Sequence, residues 1–433
     1  MKNKCRIALI AAAGYLATPA AFAQPADDTD DIRQQLQLLK TQIAELEARL
    51  AEQEEAQAEL TTQQVLLMAG NQAEPPQQAS PDGIQVGGAV RTNFSHTSYN
   101  DGNEDRGGDF DFDIFRFNLN GSINDVFLNA EIRFFDYMTA VKYAYVGYQF
   151  SDNWQVQAGI AQVPFGNKAY NSHNYFFSTN YYLGLEDDHD LGVLFKRQLS
   201  DNWQLDLGFF KNDELGGVDG FVDSRTDRYS YDIVGLRTAN EGIYDEPMQP
   251  LGEYNTLSGR FAYQLNQGDL NTVLGVSALT GGLHNGQSDA GDYHAWALHS
   301  NSHYDNWNLQ LQYSQYRYDV QGADRMAVGA YAFYDSIAAE ATSATINLAY
   351  SLPLEWGPVT GLQFYNNYGL VYDKSDGSRD TMMNVTGMSV AAGGFFTYFD
   401  LVHAQNQPFA GGSASGDSPD TERRFNINIG YYF

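Results

Sequence analysis

The sequence predicts an all-β fold: a transmembrane antiparallel β-barrel of about 16 strands, preceded by a short α-helical coiled coil. Three observations carry it. In the last ten residues, Phe425, Ile427, Ile429, Tyr431 and Phe433 share one face, while Arg424, Asn426, Asn428, Gly430 and Tyr432 share the other. That is a period-two strand, apolar on one side and polar on the other, ending on an aromatic residue. A short polar turn recurs as Ser151-Asp152-Asn153-Trp154, Ser200-Asp201-Asn202-Trp203 and Tyr304-Asp305-Asn306-Trp307, each time opening an alternating strand. Finally, mean hydropathy is only −0.42, and no run after the first residues is apolar enough for a spanning helix. A barrel tolerates both, because only alternate residues meet lipid.

Taken in order, residues 1–23 read as an export signal. Lys2, Lys4 and Arg6 precede an apolar run from Ile7 to Leu16, and Ala21-Phe22-Ala23 offers a small-x-small cleavage site. The single cysteine, Cys5, lies in that segment, so the exported chain has no disulfide and no thiolate metal site. In residues 24–70, Ile32, Leu36, Leu39, Ile43, Leu46 and Leu50 are spaced alternately four and three apart, and Gln53, Gln57 and Leu60 continue the register more weakly. Such heptads predict a self-associating coiled coil, with Arg49 and Glu54 placed to pair between parallel helices. Residues 71–83, with Pro75, Pro76 and Pro81, are an extended linker. The formal charge is −29, and −32 without the three bases of the signal, which excludes a nucleic-acid partner.

Residues 84–433 make the barrel. The Trp at each recurring turn belongs at a membrane interface, one edge of its ring apolar and the other wet, so these turns are periplasmic. Further short turns fall near Ser122 to Asp125, Asn266 to Asp269, Pro353 to Pro358 and Ala391 to Gly394, with longer polar connections between them on the outer side. An even strand count requires Tyr229 to Arg237 and Met326 to Phe333, though strand-like, to lie in outer loops. Alternation turns Ile84, Val86, Val90 and Phe94 to lipid and Arg91 inward. It likewise turns Phe115, Phe117 and Leu119 out with Arg116 in, and Leu128, Ala130, Ile132 and Phe134 out with Glu131 and Arg133 in. Phe110, Phe112 and Ile114 are in the opposite phase, which predicts a β-bulge.

The closing strand resembles that of bacterial outer-membrane β-barrels, whose terminal aromatic serves as an assembly signal. The whole of 84–433 resembles the sixteen-stranded trimeric porins. Gln162-Val163-Pro164-Phe165-Gly166 after a strand is similar to a Pro-Phe-Gly-type motif of the phosphate-selective O/P porins, in which a coiled coil also precedes the barrel. The resemblance implies a homotrimer held in outer-membrane lipid and lipopolysaccharide; the even strand count puts both ends of the barrel, and so the coil, in the periplasm. The resemblance also implies that the third outer connection, Pro164 to Asp190, folds inward and narrows the pore. Tyr170, His173, Tyr175, Phe176, Phe177, Tyr181 and Tyr182 would pack this loop on the wall; Lys168, Glu186, Asp187, Asp188 and Asp190 would carry its charge.

Closure of the barrel sets Arg424, Arg91, Arg116 and Arg133 on neighbouring strands, a basic wall to which Arg260 and Lys196 add farther round. Facing an acidic loop, such a wall would set up a transverse field; individual ion pairs, as with Glu131, are the other arrangement. Asp187-Asp188-His189-Asp190 has the oxygen and imidazole groups of a cation site but no second ligand cluster in sequence, so no metal and no cofactor are assigned. Six inward bases do not outweigh 54 acids, so phosphate selectivity is not inferred. The function expected is passive diffusion of small hydrophilic solutes and ions. The alternative is a channel specific for small anions or carboxylates, sugars or a siderophore. Eight scattered histidines and the absence of a His-Glu-x-x-His spacing give no indication of an enzyme.

Overall fold

A computed structural model describes residues 83–238 and 240–433. The expected signal peptide, coiled coil and linker lie outside the described residues. Among the described residues there are twenty strands: β1 (Gly83–Thr97), β2 (Asp109–Ile123), β3 (Val126–Phe134), β4 (Thr139–Ser151), β5 (Trp154–Gln162), β6 (His189–Ser200), β7 (Trp203–Asp213), β8 (Asp232–Leu236), β9 (Gln249–Pro250) and β10 (Gly252–Gln267) form the first half. The second half comprises β11 (Leu270–His284), β12 (Asp289–Tyr304), β13 (Trp307–Val320), β14 (Arg325–Ala330), β15 (Phe333–Ala338), β16 (Glu340–Trp356), β17 (Val359–Tyr372), β18 (Thr381–Ala392), β19 (Phe395–Gln405) and β20 (Glu422–Tyr432).

Sixteen of them close a barrel by neighbour-to-neighbour antiparallel pairing, and the remaining four form a separate sheet in the order β15-β14-β8-β9. The Tyr229 to Arg237 and Met326 to Phe333 segments therefore belong to loops, as the even strand count required. All seven short turns fall where the sequence put them. They are tight because residues at their tips accept positive φ, such as Asn124 at 54°, Asp305 at 48° and Gly268 at 60°.

The seam follows from the terminal strand's alternation. Phe433 is 59% exposed on the outside while Asn426 and Asn428 are 0% and 1% exposed within. β20 pairs with β1, and the Phe433 amide and carbonyl exchange hydrogen bonds with Gly88 at 3.1 and 2.9 Å. A Cβ on Gly88 would meet the Arg116 carbonyl oxygen at 2.4 Å and the Phe433 ring at 2.9 Å, so only glycine admits this closure.

Ile84, Val86, Val90, Phe115 and Phe134 are exposed outward as expected, and Trp154, Trp203 and Trp307 stand exposed beside the short turns. The bulge is present, between Arg91 and Thr92 of β1 opposite Asp113. It corrects one assignment: Phe110 and Phe112 point outward, but Ile114 is fully buried, because the extra residue changes the phase before Ile114 rather than after it.

Candidate functional site

Eight outer connections join the barrel strands, and the third, residues 163–188 between β5 and β6, turns into the cylinder. Its two ends are close: the Val163 amide donates to the Asp188 carbonyl at 2.9 Å. Between them the chain reaches the opposite wall. The Gly166 amide donates to Ser277 of β11 (3.1 Å), the Asn167 amide to Gln312 of β13 (2.8 Å), and the Asn171 side chain to Thr345 of β16 (2.6 Å). The His173 amide donates to Asn367 of β17 at 3.0 Å. β17 lies halfway round the strand order from β5, so the loop crosses the lumen rather than lining one side. Its partners are inward-facing Ser, Gln, Thr and Asn residues, which in a lumen out of reach of lipid supply hydrogen bonds to otherwise unsatisfied loop backbone. His173 is buried, which pushes its imidazole down to about 4, so it is neutral where it meets Asn308 and Asn367.

The loop's aromatic residues reach a wider assembly. Tyr181 and Tyr182 pack with Tyr229 and Tyr231 of the fourth connection, Tyr331 of the sixth and Phe409 of the eighth, ring centroids 5.4 to 6.3 Å apart. Mostly edge-on and tilted contacts of this kind suit ring quadrupoles. Nothing local in the sequence marks these loops as converging; the strand-like Tyr229 to Arg237 and Met326 to Phe333 were the one available signal.

Four of the predicted bases, Arg424, Arg91, Arg116 and Arg133, occupy neighbouring strands, and all of these but Arg424 have acids beside them. Arg91 on β1 pairs with Asp113 at 2.8 Å and donates to the Tyr175 hydroxyl at 3.1 Å. Arg116 on β2 and Arg133 on β3 stand directly opposite one another, and Glu131 lies 3.7 and 2.7 Å from them. Two guanidinium groups in register repel, and Glu131 between them is what makes the register tolerable. Arg424 on β20 is held by neutral groups: Asn426, the Phe409 carbonyl, and the face of Phe177 at 5.4 Å. Arg260 on β10 lies apart from this wall, donating to the Gly166 carbonyl at 2.9 Å and standing 4.0 Å from Asp206. Lys168 of the third loop reaches the same Asp206 at 3.1 Å.

The loop's acids divide. Asp187 turns to the basic side, bonded to Lys142 of β4 at 2.7 Å and to the Tyr229 hydroxyl at 2.6 Å. His189 follows it, its Nδ1 2.8 Å from the Asp187 carbonyl and its ring stacked on Tyr143. Asp188 and Asp190 turn the other way, toward Asp232 of β8 and Glu253 of β10. Glu186 stays inside the loop, accepting from the Asn171 amide (2.7 Å) and the Ser178 hydroxyl (2.5 Å). A simple opposition of basic wall and acidic loop is therefore corrected: the acids nearest the wall are its ion-pair partners, and the uncompensated acids gather beyond it. Sequence reading missed Asp113, which the bulge disguised, and Lys142, Asp206 and Asp232. Of these, Asp206 had a signal, since it alternates inward between Leu205 and Leu207 and faces Arg260 in register.

Burial raises the Glu186 carboxyl to about 7, so it enters the fold protonated at mild acid. A carboxyl whose folded value is raised stabilises most below its unfolded value, near 4.5. That contribution is lost as pH rises toward 7 and is absent above it. Glu186→Gln, which mimics the protonated form, is expected to abolish this part of the pH response, about 3 kcal/mol at the most. Thermal unfolding of wild type and variant at pH 5 and pH 8 checks it: the wild type loses more stability between the two than the variant, and equal losses would take Glu186 out of the response.

A closed, sixteen-stranded antiparallel barrel with an apolar exterior, a hydrogen-bonding interior and an inwardly folded third loop defines an outer-membrane channel. The sequence matches the phosphate-selective porin O and P family over residues 84–338. The chain belongs to that family, and is a porin through which small hydrophilic solutes diffuse passively. No curated protein matches it in sequence. Among solved structures it is similar to the anion-selective porin from Comamonas acidovorans, at 12% identity and a TM-score of 0.51 over 81% of this chain and 99% of that one. It is also similar to OprB of Pseudomonas putida, at 9% identity and a TM-score of 0.52 over 81% and 94%. The outer membrane channel DcaP of Acinetobacter baumannii aligns at 11% identity and a TM-score of 0.50 over 81% and 97%. At these identities the likeness concerns the fold.

Proposed function

We propose that the third loop is the constriction of a general diffusion porin, with Arg91, Arg116, Arg133 and Arg424 lining one side of the path. Arg260 and Lys168 stand on the loop's other flank, and Glu186, Asp187, Asp188 and Asp190 are its acidic groups. The observation that carries this reading is the run of hydrogen bonds from the loop to β11, β13, β16 and β17 across the lumen. A segment pinned on both walls divides the cross-section, and whatever passes must pass beside it.

On the basic side, Arg424, Arg91, Arg116, Arg133 and Lys142 meet Asp113, Glu131 and Asp187. That excess of bases favours small anions at the wall. It is the feature in favour of the second reading, a channel specific for anions or carboxylates, and the name of the Comamonas porin agrees with it. The mechanism is diffusion down a gradient, with no chemical step for which a nucleophile or base would be required. We further propose a homotrimer embedded among lipid and lipopolysaccharide, with the N-terminal coiled coil in the periplasm assisting self-association.

Solute block in planar bilayers separates the two readings. For a general porin, phosphate, dicarboxylates and sugars each reduce conductance weakly and only at high concentration. Micromolar block by one of them would overturn it in favour of a specific site.

A further inference from the structure

Beside the third loop, Asp188, Asp190 of β6 and Asp232 of β8 bring carboxylate oxygens within 4.8 Å of one another. Glu253 of β10 joins them around a small cavity of about 10 Å³, lined also by Tyr231 and Tyr293. That volume admits one water-sized occupant. Asp190 is 2% exposed, and its Oδ1, like that of Asp188, has no hydrogen-bond partner. Buried carboxylate oxygens aimed into a cavity are costly unless something there accepts their charge.

The local balance of charge sharpens this. Arg228 pairs with Asp213 at 3.0 Å and with one oxygen of Asp232 at 2.7 Å, and Arg225 also pairs with Asp213. Arg228 also lies 3.6 Å from Glu214, so these two bases serve six acids, Asp188, Asp190, Asp213, Glu214, Asp232 and Glu253. Asp190 and Asp213 are directly opposed across β6 and β7, an arrangement that like charges disfavour. A cation among these oxygens would reverse that cost.

We propose that Asp188, Asp190 and Asp232 bind one divalent cation of the calcium class, tying the end of the third loop to the strand of the fourth connection. The donors are all oxygens, the set that hard cations prefer. The nearby imidazole of His189 is engaged with the Asp187 carbonyl and stacked on Tyr143, which removes the nitrogen ligand that zinc would favour. The site stands whether or not the loop narrows a pore, because it is read by binding and not by conductance.

The test uses the full-length protein in detergent, stripped on a chelating resin and dialysed against radioactive calcium. The wild type should bind one calcium per chain that Asp190→Asn and Asp188→Asn each lose, whereas Asp232 is left in place because it also pairs with the buried Arg228 at 2.7 Å. Terbium in place of calcium should luminesce on excitation of the adjacent tyrosines in the wild type alone. Each substitution removes a like charge from an acid cluster, so the metal-free variants should fold at least as well as the wild type, verified by their heat-modifiable migration. Calcium should also raise the unfolding temperature of the wild type and not of the variants. No binding by the wild type at millimolar calcium, or undiminished binding by both folded variants, would overturn the proposal. So would a variant that fails to fold without metal, since it would mean that the carboxylates are held by one another and not by a cation.

Discussion

Replacing Arg91 and Arg116 together by alanine is expected to move the reversal potential in a salt gradient toward cation selectivity, with the barrel still assembling. The fold survives because the acids left behind keep other partners: Asp113 still accepts from Asn428 at 2.9 Å and Glu131 from Arg133 at 2.7 Å. The electrostatics do not survive. At an effective dielectric of about 40, one unit charge about 8 Å from a passing ion is worth about 1 kcal/mol, roughly fivefold in occupancy. Two such changes, weakened by salt, shift the ratio of cation to anion permeability by about tenfold. An unchanged reversal potential would remove both arginines from the path.

Excising residues 164–187 and bridging the ends with a short glycine-serine turn should raise single-channel conductance several-fold. The excision is feasible because Val163 and Asp188, the new neighbours, are already hydrogen-bonded at 2.9 Å. Everything the loop contributes across the lumen goes with it: the contacts to β11, β13, β16 and β17, and the Asp187 partner of Lys142. With Lys142 unpaired, selectivity should also drift toward anions. A folded variant of unchanged conductance would mean that the loop lies beside the path and not across it.

How much of this could be read from the residues depends on range. Strand phase is local, so Phe433 outside and Asn426 inside followed from alternation, and closure of β20 on β1 then gathered Arg424, Arg91, Arg116 and Arg133 on adjoining strands. The strand count was legible because turn residues such as Asn124 and Gly268 announce themselves. One-residue departures were harder: the bulge at Asp113 was foreseen, yet its position was missed, and with it the partner of Arg91. Non-local encounters left no local trace. That Asp232, on a strand in the fourth connection, comes to lie beside Asp188 and Asp190 depends on where that loop's sheet packs, which no periodicity encodes.

The account rests on an open, water-filled path through the barrel, and single-channel recording of the purified wild type in a planar bilayer tests it most directly. Discrete, ohmic conductance steps that rise in proportion to salt concentration are the predicted result. A protein that inserts, migrates as a folded barrel and yet passes no current at any salt concentration would contradict it.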